Sequence, residues 1–363
     1  MIEPASREEV QEAVRSSDRV LACGGGTKTR LSAAGDGCQR LSMRRLSGVT
    51  EYDPSEYTFT ALAGTPVQEI HERVGARGQF LPCSALLCKA GATLGGAIAS
   101  GASGPGRFRF GGLRDFLLGI EFVSGEGDLV RAGGKVVKNA AGFDLPKFMV
   151  GSAGRFGILT EVTFKVFPRP SAEVSIFIYC DSHEQAVERM VRAGASRWEL
   201  YAIDYDPAAA AICLRLGGPA EAVSVLAGEI ASEWPNQTEL LTDEQGESFW
   251  QRVREVEWAP PGSSIAKIPI TPKCIPRLQA DLEAIDGLAV HYSVAGNVAM
   301  VAAPDVSALL AVSECLEIHG LRGMTLIGER PCPLWLGSHE PGAIGAAVKS
   351  ALDPGGRFPE IDD

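Results

Sequence analysis

The chain opens on a helical stripe. Val10, Ala13 and Val14 recur at helical spacing behind Ser6 and Glu9, a pairing that marks a capped N-terminus. Val20 to Cys23 reads as a short apolar strand that runs straight into Gly24-Gly25-Gly26-Thr27-Lys28. Thr58 to Ala63 predicts a second strand. Thr65-Pro66 then predicts a helix start, with Thr65 as cap, Pro66 in the first turn and Gln68 closing the box. Leu94 to Ser100 reads as a short small-residue helix after a glycine turn. Phe116 to Ser124 and Leu129 to Ala132 flank Gly125-Glu126-Gly127, a hairpin signal. Ile158 to Phe167 is the clearest strand, and Pro168-Arg169-Pro170 ends it. That Pro-x-Pro predicts a domain boundary at residue 170.

Beyond it the order changes. Glu173 to Cys180 predicts a strand, and Ser182 caps a helix reaching about Arg192. Strands are expected at Glu199 to Asp204 and Ala211 to Leu216, then a helix to about Ser232. After a polar stretch that contains tryptophan, Ser264 to Ile270 predicts a strand and Pro272 a helix start. His291 with its neighbours and Asn297 to Ala302 predict strands, Val306 to Ile318 a helix, and Met324 to Ile327 a strand. A β-α-β-β-α order thus occurs twice, roughly 90 residues apart, which predicts an antiparallel sheet with helices on one face. Residues 331–363 read as a return segment, with a helix from Gly345 to Leu352. The resulting expectation is an α+β chain divided at 1–170, 171–330 and 331–363.

Composition sharpens this. At 363 residues the chain suits about two domains. Of its 42 glycines, 26 lie in residues 1–170, and 17 of those fall between Gly91 and Gly157. Such density suits backbone that turns tightly or approaches something closely, so the N-terminal half is expected to wrap a ligand. A net charge of −11 argues against nucleic acid as the main partner. Nine cysteines at irregular intervals, without any C-x-x-C, lack the spacing of disulfide frameworks, zinc ribbons or an iron–sulfur cluster. The acidic N-terminus does not read as a signal peptide, and no run of 18 apolar residues predicts a membrane span. The expected location is the cytoplasm, with any inner-membrane association made through partners.

Two nucleotide fingerprints can be tested directly. No G-x-G-x-x-G occurs, because Thr29 stands where the third glycine belongs. No G-x-x-x-x-G-K-[ST] occurs either. A Rossmann site and a P-loop are both poorly supported. The loop at 24–28 could cradle a phosphate on its backbone amides, and a plain structural turn would use the same residues. Gly91 to Gly101 places small residues at nearly every position, where packing alone would favour larger ones. Gly104-Pro105-Gly106-Arg107 follows, and Arg107 would suit a pyrophosphate. Gly151-Ser152-Ala153-Gly154-Arg155-Phe156-Gly157-Ile158 is a third glycine turn, feeding the strand to Phe167.

These three stretches, in this order and spacing, resemble the FAD-binding family of the vanillyl-alcohol oxidase or p-cresol methylhydroxylase (PCMH) type. The segment GGKVVKNAAGFDLPKFMVGSAGRFGILTEVTFKVFPRP is similar to FAD-binding subunits of bacterial glycolate oxidases. The resemblance is strong over residues 6–170, weaker over 171–330, and returns at LDPGGRF. It implies a two-subdomain PCMH-type domain that buries FAD, followed by an α+β cap. Gly24, Gly25, Gly26, Thr27 and Lys28 would hold the pyrophosphate through backbone amides. Thr93, Gly95, Gly96, Ala99, Ser100 and Gly101 would line the ribityl–pyrophosphate channel, and Gly104 and Arg107 would continue it. Gly157 and Ile158 would sit by the adenine or the ring edge. Lys138, Asn139 and Asp144 would orient the domain against a partner or substrate, or serve as a structural cluster. Covalent relatives carry a histidine where Gly26 and Thr27 stand, so noncovalent FAD is expected. His291 precedes Gly296-Asn297, but Ala299 occupies the place of a second histidine, so no metal is expected and His291 is read as a hydrogen-bonded core residue. Phe358-Pro359-Glu360 lacks the family's asparagine at the tail.

Oxidation of a 2-hydroxyacid needs a base, a cation for the carboxylate, and a flavin to accept the hydride. Arg215, His291, Arg322 and Arg330 are available in the cap, none within a motif, so catalytic residues stay unassigned. The resemblance implies a subunit that oxidises glycolate or a similar 2-hydroxyacid beside a second flavin subunit and an iron–sulfur subunit. The alternative is a non-catalytic FAD-binding subunit serving assembly or electron relay in the same kind of complex.

Overall fold

In the computed structural model, which describes residues 1–33, 35, 37–82, 84–134, 144–338 and 343–360, the opening stripe forms α1 (Arg7–Ser16). Ser6 Oγ accepts from the Glu9 amide, and Val10, Ala13 and Val14 are buried. There follow β1 (Val20–Cys23), β2 (Gln39–Ser42), β3 (Val49–Asp53), β4 (Thr58–Leu62), α2 (Val67–Gly75), β5 (Gln79–Phe80) and α3 (Leu94–Ser100). Next come α4 (Arg107–Phe110), α5 (Leu113–Phe116), β6 (Leu117–Val123), β7 (Leu129–Gly133), α6 (Leu145–Met149), β8 (Ile158–Lys165) and β9 (Phe167–Pro168). The chain divides into two compact units. The first is Met1–Ser103, Gly112–Arg169 and Glu340–Asp363; the second is Gly104–Gly111 and Pro170–His339.

The first unit carries a five-stranded antiparallel sheet in the order β3-β4-β8-β6-β7, with β1 and β2 paired in parallel beside it. One apolar cluster joins Val10 and Val14 of α1 to Val20, Leu41, Met43, Val123, Ile158 and the tail residue Phe358. Thr65 does not cap α2, as its sequence context predicts. Its hydroxyl donates to Leu62 O at 2.7 Å and accepts from the Gly48 amide at 2.9 Å, while Gln68 reaches Glu72. Thr65 is fully buried, and sealing that turn satisfies backbone groups that water cannot reach.

The second unit continues with β10 (Ala172–Tyr179), α7 (His183–Gly194), β11 (Ala202–Asp206), β12 (Ala211–Gly218), α8 (Ala220–Glu233), β13 (Thr238–Leu240) and α9 (Asp243–Arg254). It ends with β14 (Ser264–Pro269), α10 (Ile275–Glu283), β15 (Ala289–Ser293), β16 (Val298–Ala303), α11 (Val306–Ile318), β17 (Arg322–Ile327) and β18 (Trp335–Gly337). Helix α12 (Ala343–Leu352) belongs to the first unit. The strands form one nine-stranded sheet, β13-β10-β12-β11-β15-β16-β14-β17-β18. The two predicted repeats lie side by side in mirrored strand order. They meet at a single pair, Tyr205 opposite Tyr292, whose rings stack 5.9 Å apart.

Three differences from expectation have physical causes. Helix α9, placed by the sequence in an unassigned polar stretch, packs Phe249, Trp250 and Val253 on Ala202, Cys213 and Phe177. Their strand neighbours Ile203, Leu214 and Ile176 face the main core, so α9 covers the opposite face from the core and the helices do not keep to one side. Residues 331–338 stay with the second unit, because β18 pairs with β17. Residues 104–111 also join the second unit, where Phe108 packs on its core and Phe110 meets Tyr201 edge-on at 4.9 Å.

Candidate functional site

The three glycine stretches of the first unit converge on one cavity. Gly24 to Lys28 leave β1 and form one wall. Thr93, Gly95, Gly96, Ala99 and Ser100 come from α3 and the turn before it. Gly157 and Ile158, at the start of β8, form a third side. Twelve of the expected residues therefore share one site. Gly101 is not among its lining residues. It closes α3 in the left-handed region (φ 60°), where a Cβ would press on Gly151 at 3.1 Å. Gly104 and Arg107 lie in the second unit and do not line this cavity. Lys138 and Asn139 fall outside the described residues. Asp144 caps α6 and pairs with Lys147 at 2.9 Å, and the Lys147 hydrogen bond holds its carboxyl below the usual range.

The site's glycines divide by what a side chain would meet. A Cβ on Gly25 would lie 1.8 Å from the Gly91 carbonyl oxygen, and one on Gly157 would lie 2.5 Å from the Phe122 ring. One on Gly24 would meet Thr93 Oγ1 at 2.1 Å, and one on Gly95 would meet Ala63 at 2.7 Å. These four let the protein's own loops touch each other. Packing therefore does demand small residues here, contrary to the sequence-based expectation. Gly26 differs: its nearest neighbour would be Cys23 Sγ at 3.9 Å, so its side of the cavity wall stays open. A Cβ-free backbone beside an open cavity is the geometry a dinucleotide's phosphates require.

Hydrogen bonds fix the walls. Thr93 Oγ1 accepts from the Gly96 amide at 3.3 Å, capping α3. The amides of Gly151 and Ala153 bond Ile98 O and Ala99 O, tying the third loop to α3. Arg155 is 1% exposed and donates to Leu31 O at 2.9 Å and Ala153 O at 2.7 Å, so its guanidinium joins two lining segments. Lys28 is buried and its Nζ reaches Leu86 O at 3.3 Å. It is the charged member of a lining that also includes Ala22, Leu31, Met43, Ala63 and Leu159, which the sequence-based selection missed. These come from β1, the segments after it and β8, and they lie next to the glycine stretches in sequence or in the sheet. The walls thus combine amides, hydroxyls and one ammonium with an apolar surface, which suits a flavin dinucleotide.

Comparison with known proteins decides the cofactor. The family profile of the FAD binding domain matches residues 1–133. The glycolate oxidase subunit GlcE of Escherichia coli is 41% identical over 169 residues, covering 47% of this chain and 48% of that protein. A D-2-hydroxyglutarate dehydrogenase of Xanthomonas citri is 32% identical over 48% of this chain and 38% of its own length. The glycolate oxidase subunit GlcD of Bacillus subtilis is 30% identical over 47% and 36%. The matches thus span about half or less of these relatives. Among solved structures, p-cresol methylhydroxylase with substrate bound superposes with a TM-score of 0.73 at 14% identity, over 98% of this chain and 87% of that one. An alkyldihydroxyacetonephosphate synthase superposes with a TM-score of 0.73 at 17% identity, over 98% and 74%. The fold is that of PCMH-type flavoproteins, and FAD is the cofactor of its first unit.

In the second unit, two of the candidate groups named from sequence, Arg215 and His291, are engaged. Arg215 pairs with Glu173 at 2.7 Å and lies over the Trp250 ring. His291 is 2% exposed and bonds Asp204 Oδ2 at 2.8 Å; Asp204 Oδ1 accepts from Ser293 Oγ at 2.8 Å. His291 also stacks on Trp258 at 5.6 Å, and both border a groove with Arg252. Among the described residues no helix is long and apolar enough to cross a membrane.

Proposed function

We propose that this chain is the FAD-binding subunit of an enzyme that oxidises a 2-hydroxyacid of the glycolate type, working beside a second flavin subunit and an iron–sulfur subunit. The observation that carries the reading is the convergence of three glycine stretches on one cavity, in a domain whose relatives are named for glycolate, lactate and 2-hydroxyglutarate. Gly24 to Lys28 and the start of α3 would hold the dinucleotide phosphates, and Ile158 with Leu159 would meet the ring system. Attachment is noncovalent in this reading, because Gly26 and Thr27 offer no imidazole. Bound FAD supplies the hydride acceptor. Among the described residues, the cavity's lining includes no histidine, aspartate or glutamate to serve as a general base.

That last observation favours a second form of the reading, in which the chain serves assembly or electron relay and a companion chain oxidises the substrate. Anaerobic addition of glycolate or D-lactate to the purified chain separates the two. Bleaching of its flavin absorbance by the isolated chain supports oxidation here. Bleaching only after companion chains are added supports the relay role. A chain that purifies without FAD and fails to take it up overturns both.

A further inference from the structure

Away from the cavity, the second unit brings a sulfur, an imidazole and a carboxylate together on two helices. Cys315 and His319 are four residues apart at the C-terminal end of α11, so their side chains share a face. Asp281 reaches them from α10. His319 Nε2 lies 2.7 Å from Asp281 Oδ2, and the three donor atoms all lie within 4.8 Å of one another. Cys315 is buried, the His319 side chain is 7% exposed, and the Asp281 side chain is 52% exposed. The negative end of the α11 dipole faces this corner.

We propose that Asp281, Cys315 and His319 form a binding site for a divalent cation of the zinc class, with a fourth position left to water. Zinc takes these three donor types, and its bond lengths put tetrahedral donors about 3.3–3.6 Å apart. The exposed Asp281 carboxylate has room to open its 2.7 Å contact to that separation. On binding, the Cys315 thiol gives its proton to solvent as the sulfur–metal bond forms. The metal takes the place of the hydrogen between His319 Nε2 and Asp281; that proton passes through solvent to Nδ1, so the ring binds as a neutral imidazole. The bound ion would clamp α10 to α11. The site uses residues of the second unit alone and stands or falls independently of the flavin reading.

Cobalt(II) added to the chelator-stripped, reduced full chain tests it by difference spectroscopy. One equivalent is expected to give a thiolate-to-cobalt charge-transfer band that zinc abolishes by displacement. Cys315→Ser is expected to lose the band. His319→Ala and Asp281→Asn are expected to weaken zinc binding by more than about 100-fold, with circular dichroism confirming the fold. Zinc should also protect Cys315 of the unmutated chain from alkylation, read by peptide mass spectrometry. No thiolate band, a band that survives Cys315→Ser, or alkylation of Cys315 indifferent to zinc would each overturn the site.

Discussion

Gly25 shows how little freedom single positions of the cavity wall retain. A methyl there would lie 1.8 Å from a backbone oxygen, which cannot swing aside as a side chain would. Gly25→Ala is expected to cost about 1–3 kcal/mol or more and to release FAD, read by thermal melting and by flavin content after gel filtration. A variant that keeps both would show that the loop is not held as described. Glu121 is a second residue with a sharp expectation. Burial opposes its ionisation, but hydrogen bonds from Arg131 at 2.7 Å, from Arg7, and from Thr160 at 2.9 Å outweigh it and hold its pKa below the ordinary 4.5. A depressed folded pKa stabilises at pH above the unfolded value and is lost as pH falls through the folded one. Stability should therefore fall below about pH 4.5, and Glu121→Gln should flatten that limb of a melting-temperature profile against pH. An unchanged slope in the variant would refute the assignment.

At the scale of elements, the C-terminal helix behaves as a latch within the first unit. Lys349 of α12 is buried and its Nζ donates to Arg155 O (2.8 Å), Asp353 Oδ2 (2.7 Å) and Phe358 O (2.9 Å). Asp353 in turn accepts from the amides of Arg357 and Phe358 at 2.9 Å, and Phe358 fills the core under α1. Lys349→Met leaves a buried carboxylate without its cation and is expected to cost about 3–5 kcal/mol, measured by urea denaturation; a loss below about 1 kcal/mol would mean the pair is solvated. Sequence pattern revealed α1 well, because it has a cap and a single apolar stripe, and it also placed α3 and α11. It passed over α9, although Gly246, Phe249, Trp250 and Val253 follow helical spacing behind the Thr242–Gln245 capping box. Charged neighbours on the exposed face masked that stripe. The latch is partly local, with Lys349 and Asp353 four residues apart, but its contact with Arg155 O spans 194 residues and left no trace in the pattern.

For the whole molecule, the double β-α-β-β-α order was legible because each repeat carries its own periodicity, and it supplies six strands of the nine-stranded sheet. The glycine excess was also legible, and the cofactor class followed once the spacing of three stretches was matched to a family. What those glycines do was not. Gly24, Gly25, Gly95 and Gly157 serve contacts between loops, which depend on what lies across the fold and not on neighbours in the chain. The sequence by itself thus determined the elements of the double repeat, their order and the cofactor-binding half, because caps, periodicity and turn residues act over a few positions. Only the tertiary structure decided that residues 104–111 join the second unit, that Arg155 ties the cavity walls, and that Asp281 reaches Cys315 and His319. Those outcomes rest on side chains distant in sequence, whose meeting depends on packing that no local pattern encodes.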